Sequence, residues 1–273
     1  MHHSTNHGRP QRLAILAQWS ESGGIPPHVR IHLQRLRPNC ARVVLVSNSA
    51  LDQISRALGE SLCDRVLERS NAGFDFSAWR DALRTEDTAE WDEIVLTNSS
   101  VVGPVFPLEG IFEEMVKRPV DFWGMTGSNW GRPHIQSYFL VFRKRLIASS
   151  AWTDYWDDVH DVPKKKDVTR RYELPLRDRL ERQNFVGGTF VPLEPSLRRG
   201  LVFRRPNARL PLVIPISAKK ADPTIFAPYE LLLRGMPYLK ASLVWTHHRY
   251  RRCPMDAIKS IRGIDYPWRE IGL

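Results

Sequence analysis

Residues 68–103 read ERSNAGFDFSAWRDALRTEDTAEWDEIVLTNSSVVG, and the reading of this stretch decides the fold. Its start closes a short apolar strand over Val66 to Glu68, a polar turn runs from Ser70 to Gly73, and a helix opens at Asp75. Ala78, Trp79, Ala82 and Leu83 then recur at helical spacing. A second apolar strand, Ile94 to Thr97, stops at the polar cluster Asn98-Ser99-Ser100. Strand, crossover helix and strand in this order form a βαβ unit with parallel pairing. In an open α/β sheet, ligands gather at the carboxyl ends of the strands, where loops escape pairing and the next helix aims its N-terminus at the crevice. Both polar clusters sit at such ends. Gly73 permits a positive φ or a close backbone approach, and Asn71 tolerates the same turn. Asp75 reads equally as a helix N-cap or as a reactive carboxylate.

The same alternation extends outward. Toward the N-terminus, Leu13 to Ala17 is a strand ending at Gln18-Trp19-Ser20. Arg42 to Val46 is another ending at Ser47-Asn48, and Asp64 to Leu67 a third. Amphipathic segments Val29 to Leu36 and Leu51 to Leu58 supply the crossovers. Toward the C-terminus, Pro104 and Pro107 interrupt the chain before a helix over Leu108 to Val116, and Val120 to Met125 forms a strand. The loop TGSNWGRP follows, either a lid carrying Trp130 or an ordinary hairpin. His134 to Phe142 is bulky throughout, which predicts one central strand buried on both faces. Helices are expected over Ser149 to Val159, Arg171 to Arg182 and Tyr229 to Arg234.

These elements predict an α/β fold with a mostly parallel central sheet flanked by helices. Residues 1–12 form a disordered tail, 13–190 the α/β domain, and 191–273 a basic, Pro/Arg-rich extension wrapping the same domain. Arginines 198, 199, 204, 205, 209, 249, 251 and 252 make that extension basic, whereas Lys164-Lys165-Lys166 reads as a solvated turn.

Composition narrows the function classes. With 273 residues and 42% hydrophobic content, the chain can bury a sizeable core, and its net charge of +10 favours anionic partners. No apolar run approaches the roughly 20 residues of a bilayer-spanning helix. MHHSTNHGRPQR lacks the apolar core of a secretory signal, and the odd, scattered Cys40, Cys63 and Cys253 suit a reducing compartment, so a cytoplasmic location is expected. Nucleic acid is disfavoured, because the arginines lack the interleaved aromatic platform of a binding module.

Taken together, RSNAGFDFSAWRDAL, LTNSSVVGPVFPL, DFWGMT, HIQSYFLVFRK, RYELPLRDRL and ADPTIFAPYELLLRGMPYLK resemble the rhamnan synthesis protein F family of bacterial glycosyltransferases, in the family's order over roughly residues 13 to 241. The resemblance implies a GT-A-like fold and transfer of a sugar, typically L-rhamnose from its dTDP donor, to a cell-surface polysaccharide or lipid-linked acceptor at the inner membrane face. Peripheral attachment to that anionic surface follows from the basic extension. The resemblance places Asn98-Ser99-Ser100 where the family binds a divalent metal and the sugar diphosphate. Ser99 departs from the acidic middle residue usual there, and Asn plus two hydroxyls offer Mg²⁺ or Mn²⁺ no anionic oxygen. Three readings stay open: a metal held elsewhere, for example by Asp75; a diphosphate neutralised by Lys and Arg; or a catalytically inactive member serving as an anion-binding scaffold.

Glycosyl transfer needs a base for the acceptor hydroxyl and positive charge for the departing diphosphate. Candidate bases are Asp75 and Asp121, which read alternatively as a cap and as the start of a strand. His134 reads as a phosphate, metal or acceptor ligand, or as a satisfied strand histidine. Candidate substrate-binding residues are Gln18, Ser47, Arg69, Asn71, Gly73, Asn98, Ser99, Gln136 and Ser137. Arg69 reads as the diphosphate clamp, Arg80 and Arg143 as surface charges. No metal ligand is assigned.

Overall fold

RLAILAQ, residues Arg12–Gln18, is buried along its whole length as strand β1 because it lies in mid-sheet with parallel neighbours on both sides. The computed structural model describes residues 9–193, 201–203, 212–214, 222–245 and 255–273. The arginines from 198 to 252 named above, Cys253 and residues 1–8 lie outside the described residues. β2 (Arg42–Ser47) pairs with β1 in parallel from Leu13↔Arg42 to Gln18↔Ser47, and β3 (Arg65–Glu68) pairs beyond it. β4 (Glu93–Asn98) pairs on the other side of β1, from Arg12↔Glu93 to Ala17↔Asn98. Helices α1 (Pro27–Leu36), α2 (Gln53–Leu62) and α3 (Phe74–Leu83) are the crossovers. This register brings Gln18, Ser47, Glu68 and Asn98 to one carboxyl-end edge.

Beyond β4 the polarity changes. After the short β5 (Val101–Val102) and helix α4 (Leu108–Val116) come β6 (Phe122–Ser128), β7 (His134–Ile135) and β8 (Phe139–Arg143). β8 lies antiparallel between β4 and β6, and β9 (Gly187–Val191) extends the sheet parallel to β6. The sheet is therefore mostly parallel, with β8 as an inverted strand inside it.

The single strand expected over His134 to Phe142 is broken at Gln136-Ser137-Tyr138. The Ser137 amide leaves the ladder and donates to Glu173 Oε1 at 3.1 Å. The bulge fits because residue 124 is glycine: a Cβ there would stand 2.4 Å from Ile135 Cγ2 and 2.9 Å from the Phe139 carbonyl oxygen. The TGSNWGRP segment is a tight β6–β7 hairpin tied to the body by Arg132 Nε donating to the Leu174 carbonyl, 2.9 Å.

Each face of the sheet carries an apolar layer. Phe76 and Trp79 of α3 meet, on one face, Trp152 and Trp156 of α6 (Ser150–Asp157), the helix that follows the short α5 (Lys144–Ile147). α1 and α4 cover the other together with Met236 and Tyr238 from the C-terminal part. At the amino-end edge, Glu93 accepts from Arg12 Nε at 2.6 Å and Arg143 Nε at 3.2 Å, a buried triad; Arg143 is thus structural rather than a surface charge. Burial pushes the Cys40 and Cys63 thiols up to about 12, which leaves them unreactive.

Candidate active site

The polar turn after β3 ends in Gly73, whose φ of 74° is left-handed; Phe74 follows at φ 55°. Two successive left-handed residues fold the chain sharply into α3, and a Cβ on residue 73 would fall 1.9 Å from Ser77 Oγ. The helix begins at Phe74, and Gly73 occupies its N-cap position without a side-chain cap. Asp75 is therefore not the cap: it lies in the first turn, and its Oδ2 accepts from Asn98 Nδ2 at 3.0 Å. Asn98 Oδ1 in turn accepts from the Ser100 amide (3.0 Å) and the Ser100 hydroxyl (2.6 Å), so the amide group is locked between α3 and the end of β4.

This pair lines a cavity of about 410 Å³. Its walls are the first turn of α3, the end of β4, Ser137 and Tyr138 of the broken strand, the helical segment from Lys165 to Glu173, and the C-terminal residues Asp222, Ile225 and 240–242. The helical segment is α7 (Lys165–Val168) continued by a π turn, Thr169–Glu173, into α8 (Leu174–Glu181). π turns are rare and recur at functional sites. This one is held where Tyr155 donates its hydroxyl to the Tyr172 carbonyl, 2.9 Å, and the Tyr172 hydroxyl meets both the amide and the carbonyl of His160.

Each cavity carboxylate has one oxygen fixed by the fold. Glu173 Oε1 accepts from the Ser137 amide and hydroxyl, the latter at 2.8 Å. Asp222 Oδ1 accepts from Gln136 Nε2 (3.0 Å), the Thr224 amide (2.9 Å) and the Thr224 hydroxyl (2.6 Å). Lys240 stands 5.1 Å from the centre of the Tyr138 ring and donates to Gln136 Oε1 at 3.4 Å. Burial pushes the Asp75 carboxyl above the usual aspartate range; Glu173 adds to this, while Lys165, Lys240 and the Asn98 hydrogen bond oppose it. A carboxylate raised in this way is a stronger base than an ordinary aspartate, and one of its oxygens is unengaged among the described residues.

The structure brings Asp75, Asn98 and Ser137 to this cavity, with Gln136 directly behind it. Gln18 and Ser47 meet one another at the neighbouring strand ends, Gln18 Nε2 donating to Ser47 Oγ at 2.7 Å. Ser99 does not line the cavity. Its carbonyl accepts from His28 Nε2 at 3.0 Å, and Ser100 takes the position facing inward. Arg69 is not a free phosphate clamp: it donates to Asp81, Asn48, the Ala72 carbonyl and Asp161, and so braces the loop before α3, on which half-buried Asn71 sits. Arg80 has the same bracing role through Asp81, Asp161 and the Val159 carbonyl, not that of a surface charge. Asp121 lies at the amino end of β6, remote from the cavity, where its Oδ2 accepts from Arg145 (2.6 Å) and the Val186 amide (2.8 Å). His134 is buried in β7 with Nδ1 on the Arg132 carbonyl, 2.8 Å, and lines no part of the cavity.

Sequence reasoning missed Glu173, Asp222 and Lys240 and placed Lys165 on a solvated turn, whereas it lines the cavity. The signal was present: Glu173 lies within RYELPLRDRL, and Asp222 and Lys240 within ADPTIFAPYELLLRGMPYLK. Among the described residues, no three His, Cys, Asp or Glu side chains come together to hold a metal ion, and Asn98-Ser99-Ser100 supplies no carboxylate. The donor set therefore does not fit a divalent cation held by the protein alone.

The family profile described as rhamnan synthesis protein F matches residues 43–191. A protein of Sinorhizobium fredii designated y4gN, itself uncharacterised, is 24% identical over 176 residues, covering 62% of this chain and 46% of that protein. The chain thus spans about half of that relative's length. Virulence protein VirA of Vibrio anguillarum is 23% identical over 225 residues, 77% of this chain and 72% of VirA. Among solved structures, a mannosyltransferase of Pyrobaculum calidifontis in complex with GDP-Man and Mn²⁺ aligns at a TM-score of 0.44 with 13% identity, over 67% of this chain and 55% of that one. Glucosyl-3-phosphoglycerate synthase of Mycobacterium tuberculosis aligns at 0.39 with 12% identity, over 77% and 88%.

Proposed function

This chain belongs to the rhamnan synthesis protein F family, whose profile spans more than half of it, and from that premise we propose that it transfers a sugar, L-rhamnose in the first instance, from a nucleoside-diphosphate donor to a polysaccharide or lipid-linked acceptor. The observation carrying this reading is the Asp75–Asn98 pair, a carboxylate in the first turn of α3 held against the carboxyl end of β4 at a cavity large enough for a sugar. In the proposed step, Asp75 takes the proton of the acceptor hydroxyl as that oxygen attacks the anomeric carbon. The bond from that carbon to the diphosphate breaks, and the nucleoside diphosphate leaves with the electron pair.

Peripheral attachment to an anionic membrane surface belongs to this reading. It rests on the basic composition of the chain, and among the described residues no helix is long and apolar enough to cross a membrane. Flotation with anionic vesicles at low salt, lost at high salt and absent with neutral vesicles, is the expected outcome.

A second reading, an inactive member acting as an anion-binding scaffold, is favoured by the absence of a carboxylate in Asn98-Ser99-Ser100. Calorimetry and donor-hydrolysis assays with dTDP, UDP and GDP and their sugar conjugates, with and without EDTA, separate the two. Binding with turnover supports the transferase, binding without turnover supports the scaffold, and no binding at millimolar concentration overturns both.

A further inference from the structure

Three carboxylates, Asp75, Glu173 and Asp222, and two lysines, Lys165 and Lys240, line the cavity, so its formal charge is not positive whether or not Asp75 is ionised. A diphosphate carries negative charge of its own and is mismatched to such a lining, whereas a neutral ring bearing adjacent hydroxyls is matched to it. Hydroxyl hydrogens meet fixed carboxylate oxygens, ammonium groups meet hydroxyl oxygens, and the aromatic rings at the wall meet the C–H faces.

Glu173 is pre-organised, because the Ser137 amide and hydroxyl both hold Oε1 while Oε2 has no partner among the described residues. It also ends a π turn that is braced from behind by Tyr155 and His160. We infer that Glu173 is a specificity-determining residue that accepts hydroxyl hydrogens of a neutral sugar through Oε2, seating that sugar against Asp75 while the nucleoside diphosphate lies outside the cavity. The inference rests on the transferase reading above. Donor and acceptor sugars share this chemistry, and the two arms of the test tell them apart.

The variant is Glu173→Gln, which keeps a carbonyl oxygen for Ser137 and replaces the free anionic oxygen by an amide. In the donor arm, the affinities of dTDP, UDP and GDP are compared with those of dTDP-L-rhamnose, UDP-glucose and GDP-mannose. In the acceptor arm, the KM for methyl α-L-rhamnoside is measured. The expected result is a roughly 10- to 100-fold loss, in line with removal of a hydrogen bond to a charged group, in either the affinity gained from the donor sugar or the acceptor KM. Nucleoside diphosphate affinity and melting temperature stay as in the wild type. The arm that moves identifies the sugar. If neither arm moves, or if the bare diphosphates lose as much as their conjugates, the inference falls and the transferase reading stands. If the wild type binds no nucleoside diphosphate and no conjugate, the transferase reading falls and takes the inference with it.

Discussion

Asn98 Nδ2 donates to Asp75 Oδ2 at 3.0 Å, joining the last residue of β4 to the first turn of α3 across the mouth of the parallel sheet. The bond fixes one carboxylate oxygen and leaves the other to the cavity, where burial and the Glu173 charge favour the protonated form. Because the folded-state pKa is raised, the stabilising contribution of Asp75 is present below the ordinary aspartate value and is lost as pH rises through the folded value.

Asp75→Asn removes that cost. At neutral pH the variant is expected to melt no lower than the wild type, and the difference between the two should shrink as the pH is lowered toward about 4. Turnover should fall by about 10²- to 10⁴-fold, the usual contribution of a general base, with donor affinity nearly unchanged. The acid limb of the wild-type pH–rate profile should lie above the ordinary aspartate value. A variant that melts well below the wild type and turns over normally would instead assign Asp75 a structural role.

Gly73→Ala tests the backbone of the same turn. At φ 74° an L-residue is strained, and the added Cβ would approach Ser77 Oγ to 1.9 Å and Ser77 Cβ to 2.6 Å, so trimming Ser77 to alanine gives no relief. A loss of about 3 kcal/mol is expected from strain and overpacking together. Thermal denaturation should register it as roughly 2–4 °C per kcal/mol. An unchanged melting temperature would mean that the turn relaxes into another conformation.

The parallel half of the sheet was legible because each of its strands is a short apolar run closed by polar residues, and its crossovers have helical periodicity. Gly73 and Asn98 stood out because they punctuate that pattern. The inverted β8 was hidden, since HIQSYFLVF is bulky throughout and its break depends on Gly124 opposite and on Glu173 from a later helix. Asp222 and Lys240 were hidden for a related reason. Lys240 reaches the cavity through the pairing of Leu239–Lys240 with Val101–Val102, and Asp222 meets Gln136 there, both non-local contacts without a local sequence pattern. Asp121 looked loop-facing, yet it precedes a strand parallel to β4 and so stands at the edge opposite the carboxyl ends.

Asp121→Asn therefore serves as the contrast to Asp75→Asn. Asp121 Oδ2 accepts from Arg145 and the Val186 amide, tying the start of β6 to that of β9, and an asparagine oxygen keeps part of this arrangement. A loss of about 1–2 kcal/mol is expected, with turnover within about threefold of the wild type. A fall in turnover comparable with that of Asp75→Asn would place Asp121 in the reaction.

The polar triplet at the end of β4 gives the last contrast. Ser100 lines the cavity and bonds to Asn98, whereas Ser99 is turned so that its carbonyl meets His28. A carboxylate at position 100 would stand near Asp75, and two adjacent anionic oxygens attract a hard divalent cation, which Asp75, Glu173 and Asp222 do not do as placed, since they form no metal-holding group. A carboxylate at position 99 would lie outside that space. Ser100→Asp should therefore bind Mn²⁺ measurably more tightly than the wild type, and without metal it should move the acid limb of the pH–rate profile upward, because a second negative charge disfavours ionisation of Asp75. Ser99→Asp should do neither. Calorimetric Mn²⁺ titrations of both variants decide the point, and a gain in affinity confined to Ser99→Asp would show that residue 99, not residue 100, faces the bound substrate.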